Sequence, residues 1–237
     1  MQNSISGMLL FDKPKGITSF KVVNKIRKIL NVKKAGHCGT LDPAATGLLL
    51  ILVGKATKLQ DKFMKQDKVY LSSFLLGTIT DSGDLDGNII EKKAVENIDI
   101  EKIKNILCKY KGEIEQIPPM YSALKHNGQA LYKLARKGIT VERKPRRVTI
   151  RGMEILSFDG MTLELTIACS SGTYIRTLAE DIGKDLGCGA VVSELRREKI
   201  GSYSADKALT ESDFENVEKI VGSIIGVEDL TGITNEK

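Results

Sequence analysis

Gly36-His37-Cys38-Gly39-Thr40-Leu41-Asp42-Pro43-Ala44-Ala45-Thr46-Gly47 leads straight into Leu48-Leu49-Leu50-Ile51-Leu52-Val53. The first part holds three glycines among its polar residues and one proline, the signature of a turn-rich loop with a fixed backbone. The second part is a short, wholly apolar run and reads as a buried strand. A loop in this position has few packing duties, so its polar side chains, His37 and Asp42, are available for chemistry.

Upstream of the loop, residues 8–11 read as a short strand broken by Asp12-Lys13-Pro14-Lys15-Gly16. Thr18 or Ser19 then caps a helix. Its apolar face is Val22, Val23, Ile26, Ile29 and Leu30, with Lys21, Lys25 and Lys28 off that face. Downstream, residues 55–65 read as helical, Lys68–Leu76 as a strand, and 78–88 as a stretch rich in turn residues. Asp99 opens a helix with Ile100, Ile103, Ile106, Leu107 and Tyr110 inward. Residues 117–121 are extended, because each of Pro118 and Pro119 restricts its predecessor. Residues 147–158 and 161–169 form a hairpin about Asp159-Gly160. In its second strand Leu163, Leu165 and Ile167 alternate with Thr162, Glu164 and Thr166. Ser170-Ser171-Gly172-Thr173 caps a helix whose core face is Ile175, Leu178, Ala179, Ile182 and Leu186, and Gly187 ends it. Thr210-Glu211-Ser212-Asp213 caps a final helix carrying Phe214, Val217 and Val221. This order of elements predicts an α/β protein with a mixed sheet, organised as one catalytic domain.

Composition bounds the function. The chain has 237 residues, 41% of them hydrophobic, enough for a substantial core. The longest apolar run, 48–53, is far too short to span a bilayer. Residues 1–7 lack the basic and apolar regions of a secretory signal. Four cysteines, Cys38, Cys108, Cys169 and Cys188, are scattered with no C-x-x-C pair. That spacing argues against a zinc site and for a reducing compartment.

The net charge is +6, and the excess is concentrated. Between Lys125 and Arg151 stand Lys125, Lys133, Arg136, Lys137, Arg143, Lys144, Arg146, Arg147 and Arg151, opposed only by Glu142. A second group, Lys21, Lys25, Arg27, Lys28, Lys33 and Lys34, precedes the His37–Asp42 loop. One such run is ordinarily a solvated face. Two runs, one adjoining a candidate active loop, point to a polyanionic partner.

Other motifs fail. The chain has two histidines, His37 and His126, and no H-x-x-x-H or H-E-x-x-H, which leaves little room for a catalytic metal. Gly47 and Gly54 are too far apart for a phosphate loop, and Lys55 lacks a following Ser or Thr. Asp81, Asp84, Asp86 and Asn88 lack the Gly and the distal Glu of a calcium loop, so turn chemistry accounts for them. Asp42-Pro43 is by itself an ordinary turn. Arg176 falls in the first turn of a helix, where a cation opposes the dipole. That placement either leaves it in solvent or asks for a nearby carboxylate, such as Asp42. Tyr70 on its strand and Leu195 read as packing residues, and Tyr174 beside Arg176 as either packing or function.

Taken together, several stretches resemble the TruB family of tRNA pseudouridine synthases. They are residues 10–16, 36–48, Gly77-Thr78-Ile79-Thr80-Asp81-Ser82-Gly83-Asp84, Gln116-Ile117-Pro118-Pro119-Met120-Tyr121-Ser122-Ala123-Leu124-Lys125, Cys169-Ser170-Ser171-Gly172-Thr173-Tyr174-Ile175-Arg176-Thr177 and Leu195-Arg196-Arg197. All six stand in family order from about Gly7 to Tyr203. The resemblance implies the pseudouridine synthase fold, a mixed, mostly antiparallel sheet flanked by helices, with an RNA-gripping insertion. It implies a single catalytic domain over 1–230, a basic grip at about 120–151 and a tail over 231–237. It makes Asp42 the essential carboxylate and His37 the residue that enters the T-loop. Tyr70 becomes the ring stacked on the flipped uracil and Arg176 the carboxylate's partner. Tyr174 and Leu195 line the uracil pocket. The implied reaction isomerises the T-loop uridine (uridine-55) of tRNA, with no cofactor and no metal. Asp42 either attacks the ribose or the base, or takes a proton from the sugar. The implied protein is a cytoplasmic monomer that binds the tRNA T-stem-loop, needs no protein partner and does not engage a membrane. Family members commonly carry a further PUA-like module; the expectation here is a chain without it. Two readings compete: a non-catalytic RNA-binding protein on the same scaffold, and a synthase of ribosomal RNA or one guided by an RNA–protein assembly.

Overall fold

The computed structural model describes residues 5–231. The expectations for residues 1–4 and for the tail beyond 231 lie outside them. Along the chain come β1 (Gly7–Lys13), α1 (Ser19–Ile29), β2 (Ala35–His37), β3 (Thr46–Val53), α2 (Gln60–Met64), β4 (Lys68–Leu76), β5 (Thr78–Thr80), β6 (Ile89–Lys92), α3 (Ile100–Lys109) and β7 (Gly112–Gln116). Then follow β8 (Lys125–His126), β9 (Gln129–Ala130), α4 (Leu131–Ala135), β10 (Arg146–Phe158), β11 (Thr162–Cys169), α5 (Ile175–Leu186), β12 (Ala190–Ile200), β13 (Tyr203–Ser204), α6 (Val217–Gly222), β14 (Ile225–Gly226) and α7 (Val227–Thr231). They fall into two compact units: Met1–Tyr70 with Leu195–Lys237, and Leu71–Glu194.

The first unit is built around β3. Its partner β1 runs antiparallel, in register from Gly7 opposite Val53 to Lys13 opposite Gly47. The other edge of β3 is shared: β2 pairs antiparallel at residues 51–53, and β12 pairs parallel through Arg196 opposite Thr46 and Arg197 opposite Gly47. All six residues of the apolar run are fully buried. The reason lies in the period of two. Leu49, Ile51 and Val53 face a core with Leu9, Phe11, Val22, Val23 and Ile26, while Leu48, Leu50 and Leu52 face another with Met8, Leu10, Phe63 and Ile200. A strand covered on both faces needs no polar alternation, and each such side chain contributes roughly 1.5–3 kcal/mol. Helix α1 starts where expected, its Lys21 amide donating to the Thr18 hydroxyl at 3.2 Å.

In the second unit β10 pairs antiparallel with both β11 and β7, and β4 lies beside β11. The first half of β12 meets β4, with Ser72 Oγ donating to Glu194 O at 2.9 Å and Ser193 Oγ to Ser73 O at 3.0 Å. Leu163, Leu165 and Ile167 are fully buried, as the alternation predicts. The hairpin turn closes on the Asp159 carboxylate, which accepts from the Met161 and Thr162 amides. Gly187 ends α5 in the left-handed region at φ 92°.

Five expectations need correction. The first strand is not broken at Asp12, because β1 keeps its pairing with β3 through Asp12 and Lys13. Residues 54–59 form a 3₁₀ helix before the short α2, so one continuous helix over 55–65 does not form. Ile100 is 38% exposed, because it occupies the first turn of α3, off the face of Ile103, Ile106 and Leu107. Tyr174, with no side-chain cap, precedes α5; Thr173 Oγ1 donates back to Ser170 O instead. The Thr210–Asp213 capping box serves a 3₁₀ helix, Glu211–Glu215. Asn216 caps a separate α6, whose Val217 and Val221 are exposed and whose buried residue is Ile220; α7 follows it.

Candidate functional site

Residues 38–45 bridge β2 and β3, and almost every support they receive grips the main chain. Cys38 N donates to Leu50 O at 3.0 Å. The buried Ser19 hydroxyl, at the start of α1, exchanges hydrogen bonds with Leu41 O (3.0 Å) and Leu41 N (2.9 Å). Pro43 O accepts from Gly16 N at 2.8 Å and from Lys13 Nζ at 3.3 Å. On the opposite flank the Arg197 guanidinium donates to Leu48 O (2.8 Å), Gly39 O (3.0 Å) and Thr40 O (3.5 Å). The half-buried Asp42 is thus carried on a loop tied from α1, β1, β3 and β12.

Two of those supports are buried cations. Lys13 is fully buried and Arg197 1% exposed. Lys13 Nζ also donates to Pro14 O and Ile17 O, each at 2.9 Å, so its charge is spread over three carbonyls. Burial pushes the Lys13 pKa down to about 8; the Asp42 carboxylate opposes that fall and the Arg197 guanidinium adds to it. Both cations enter from strand positions opposite Gly47. Gly47 has φ +98°, and a Cβ there would meet the Arg197 carbonyl oxygen at 2.3 Å. Glycine is therefore required where the two strands close on the loop.

His37 ends β2 opposite Ile51, its carbonyl accepting from Gln60 Nε2 at 2.9 Å. Its Nδ1 is buried without a hydrogen-bond partner among the described residues. Burial lowers its pKa, and Arg197 lowers it further, so the site favours the uncharged ring. Cys38 is buried and its pKa is pushed up to about 12, mainly by burial, so the thiol stays protonated. Tyr70, on β4, is 9% exposed, and Leu195, on β12, is half-buried; both belong to the first unit.

Tyr174 and Arg176 belong to the second unit. Arg176 is 6% exposed, which removes the solvent-facing alternative. Its Nη1 donates to Ser82 O at 2.8 Å and its Nη2 to Tyr121 O at 2.7 Å. The Asp84 carboxylate lies 3.5 Å away, so within this unit the counter-charge asked for by the helix dipole is met by Asp84. Ser82 Oγ in turn donates to Asp84 Oδ1. Gly83 lies against this guanidinium stem, a Cβ there falling 3.2 Å from Arg176 Cβ. Tyr174 is half-buried, its amide donating to Gln116 Oε1 at 3.1 Å. Among the described residues no three His, Cys, Asp or Glu side chains gather to hold a metal ion. None of the helices there is long and apolar enough to cross a membrane.

Sequence reasoning placed both Asp42 and His37 on one loop; the structure keeps Asp42 there but makes His37 the last residue of strand β2, and the cations beneath the loop were missed. The available signal was parity: Lys13 follows Leu9 and Phe11 at intervals of two, which puts it on their buried face.

Comparisons with known proteins place this fold and this chain among the pseudouridine synthases. Residues 27–175 match the N-terminal domain of the TruB family pseudouridylate synthases, and 176–222 match the tRNA pseudouridylate synthase B C-terminal domain. The tRNA pseudouridine synthase B of Endomicrobium trichonymphae is 63% identical over 94% of this chain and 97% of its own length. That of an Azoarcus species is 48% identical over 87% of this chain and 68% of its own. Among solved structures, a chain of a Cbf5-Nop10-Gar1 complex matches with a TM-score of 0.74 at 30% identity, over 94% of this chain. An H/ACA RNP bound to a substrate RNA matches with a TM-score of 0.66 at 28% identity, over 97% of this chain. The chain spans 60% and 56% of the length of those two solved chains. The chain belongs to the TruB family of pseudouridylate synthases.

Proposed function

We propose that this enzyme converts the T-loop uridine of tRNA, uridine-55, to pseudouridine, with Asp42 as the essential carboxylate. The observation that carries the assignment of Asp42 is its loop, braced by two buried cations and main-chain hydrogen bonds. Such bracing costs stability at the desolvated charges and repays it only in a fixed carboxylate. The curated relatives named tRNA pseudouridine synthase B support the substrate.

The isomerisation breaks the bond from C1′ to uracil N1, turns the base, and joins C1′ to C5. N1 ends with a proton and C5 gives up its hydrogen, so atoms and electrons balance without an external reagent. Asp42 acts either on the ribose or base as a nucleophile or on the sugar as a base. The target lies inside a folded loop, so it must leave the stack and rest on an aromatic ring. We assign that ring to Tyr70, entry into the T-loop to His37, and contacts to the uracil to Tyr174, Arg176 and Leu195. An uncharged imidazole suits entry into the T-loop, because it enters a stack of bases without carrying an ion out of water. We assign the stem grip to the basic segment at about 120–151 and take residues 1–230 to work as one catalytic domain. We further assign the enzyme to the cytoplasm as a monomer that needs no protein partner.

The test is tritium release from tRNA transcripts labelled at uracil C5, comparing the wild type with Asp42→Asn. Release by the wild type alone is expected. Equal release by both would remove Asp42 from the centre of the reaction, and none by either, with RNA bound, would favour a binding protein. Release from an isolated T-arm hairpin, with no other component, would exclude an assembly-guided enzyme.

A further inference from the structure

A groove opens on the first unit along α1 and β2, with a cavity of about 490 Å³ lined by Phe20, Asn24, Arg27, Lys33, Lys34 and Gln60, among others. Three features of it remain unused by the reaction described above. Arg27, Lys33 and Lys34 are exposed, and no carboxylate lines the cavity. None of the three has an ion-pair partner among the described residues, although other surface cations such as Lys93, Lys104, Lys109 and Arg147 do. Phe20 is 66% exposed at the start of α1, the most exposed aromatic ring among the large hydrophobic residues that face solvent. The wall of the groove continues into the active loop, because Gln60 reaches out of it to hold the His37 carbonyl.

An uncompensated row of cations in a concave surface attracts a polyanion. An exposed ring beside that row suits a ligand with a flat apolar face, and unpaired RNA offers both, a phosphate at every step and a base to stack. An acidic peptide would use the cations and leave the ring idle. We propose that this groove binds an unpaired segment of the substrate RNA, with Arg27, Lys33 and Lys34 on its phosphates and Phe20 stacked on a base. The proposal rests on the RNA-modifying reading above and adds a contact site separate from the segment 120–151.

Binding is tested by filter retention of a full-length tRNA transcript over a range of salt, with no turnover required, so failure of the Asp42 experiment leaves the result readable. The full chain carrying Arg27→Ala, Lys33→Ala and Lys34→Ala is compared with a control of equal charge carrying Lys102→Ala, Lys104→Ala and Lys111→Ala. Loss of three phosphate contacts to single-stranded RNA makes the slope of log K against log salt shallower by about 2. The control keeps the wild-type slope. Phe20→Ala, which removes an exposed ring and spares the core, weakens binding by about tenfold at unchanged slope. Equal slopes in the groove variant and the control, or unchanged affinity in Phe20→Ala, would overturn the proposal. Displacement of the RNA by poly-glutamate as effectively as by unlabelled RNA would also overturn it, by making the groove a general polyanion surface.

Discussion

Replacing Arg197 with Met tests whether the active loop is held from below. The guanidinium serves Leu48 O at 2.8 Å and Gly39 O at 3.0 Å, with Thr40 O at the edge of reach at 3.5 Å. Methionine fills a similar volume and donates nothing, so at least two carbonyls lose their partner in a buried setting. Each orphaned group costs about 1–3 kcal/mol, which sets the loss at roughly 2–6 kcal/mol before relief of the desolvated charge offsets part of it. That is a large share of a total of about 5–15 kcal/mol. Urea unfolding reads it directly: with a slope of about 3 kcal/mol/M, a loss of about 4 kcal/mol moves the midpoint down by more than about 1 M. Arg197→Lys keeps the charge and part of the bonding, so it falls between. The folded Met variant is also expected to lose about a hundredfold in single-turnover rate, the consequence of a displacement of order 1 Å in a reacting group. A midpoint shift below about 0.3 M together with an unchanged rate would refute the bracing role.

Gly47→Ala is expected to be poorly tolerated, since φ is +98° and the new Cβ would fall 2.3 Å from the Arg197 carbonyl oxygen. The left-handed backbone alone costs about 1–2 kcal/mol, and the collision adds to it, so a melting temperature lower by more than about 5 °C is expected from circular dichroism. Lys13 gives a pH signature. Its folded pKa of about 8 lies below the ordinary 10.5, so between these values the unfolded chain holds the extra proton and the group's contribution to stability rises with pH. Wild type minus Lys13→Met, compared by urea unfolding, is therefore expected to grow from pH 8 toward 10.5, and a flat difference would contradict the burial of the ammonium. Maleimide is expected to label exposed Cys108 in the native protein and to spare buried Cys38, Cys169 and Cys188. Cys38→Ala is expected to retain full turnover.

Much of this was legible in the sequence, for identifiable reasons. The covered strand β3, the helix opened by Thr18 and the Asp159-Gly160 hairpin follow from local pattern and turn chemistry, which act over a few residues. Asp42 on its loop and His37 at the end of β2 were legible as candidates because glycine and proline flag an aimed backbone. What escaped depends on contacts distant in sequence. Arg197 lies on β12, far along the chain from the loop it holds, and its charge reads as surface until β12 is laid beside β3. Arg176 looked misplaced at a helix start until Asp84, Ser82 and Tyr121 were brought to it. The Thr210 box was read correctly as a start signal, but such a signal carries no information about which kind of helix follows or how long it runs.

The supports under residues 38–45 close mostly on carbonyl oxygens, an atom every amino acid supplies. The loop's outline is accordingly indifferent to the side chain it displays at exposed Thr40, while the residues that hold it are not interchangeable. A saturation library across both sets would show tolerance inverted relative to proximity: broad acceptance at Thr40 in the loop itself, and near-invariance at Lys13, Ser19 and Arg197 behind it. Such a scaffold lets the displayed surface drift toward new RNA partners while the carboxylate stays fixed.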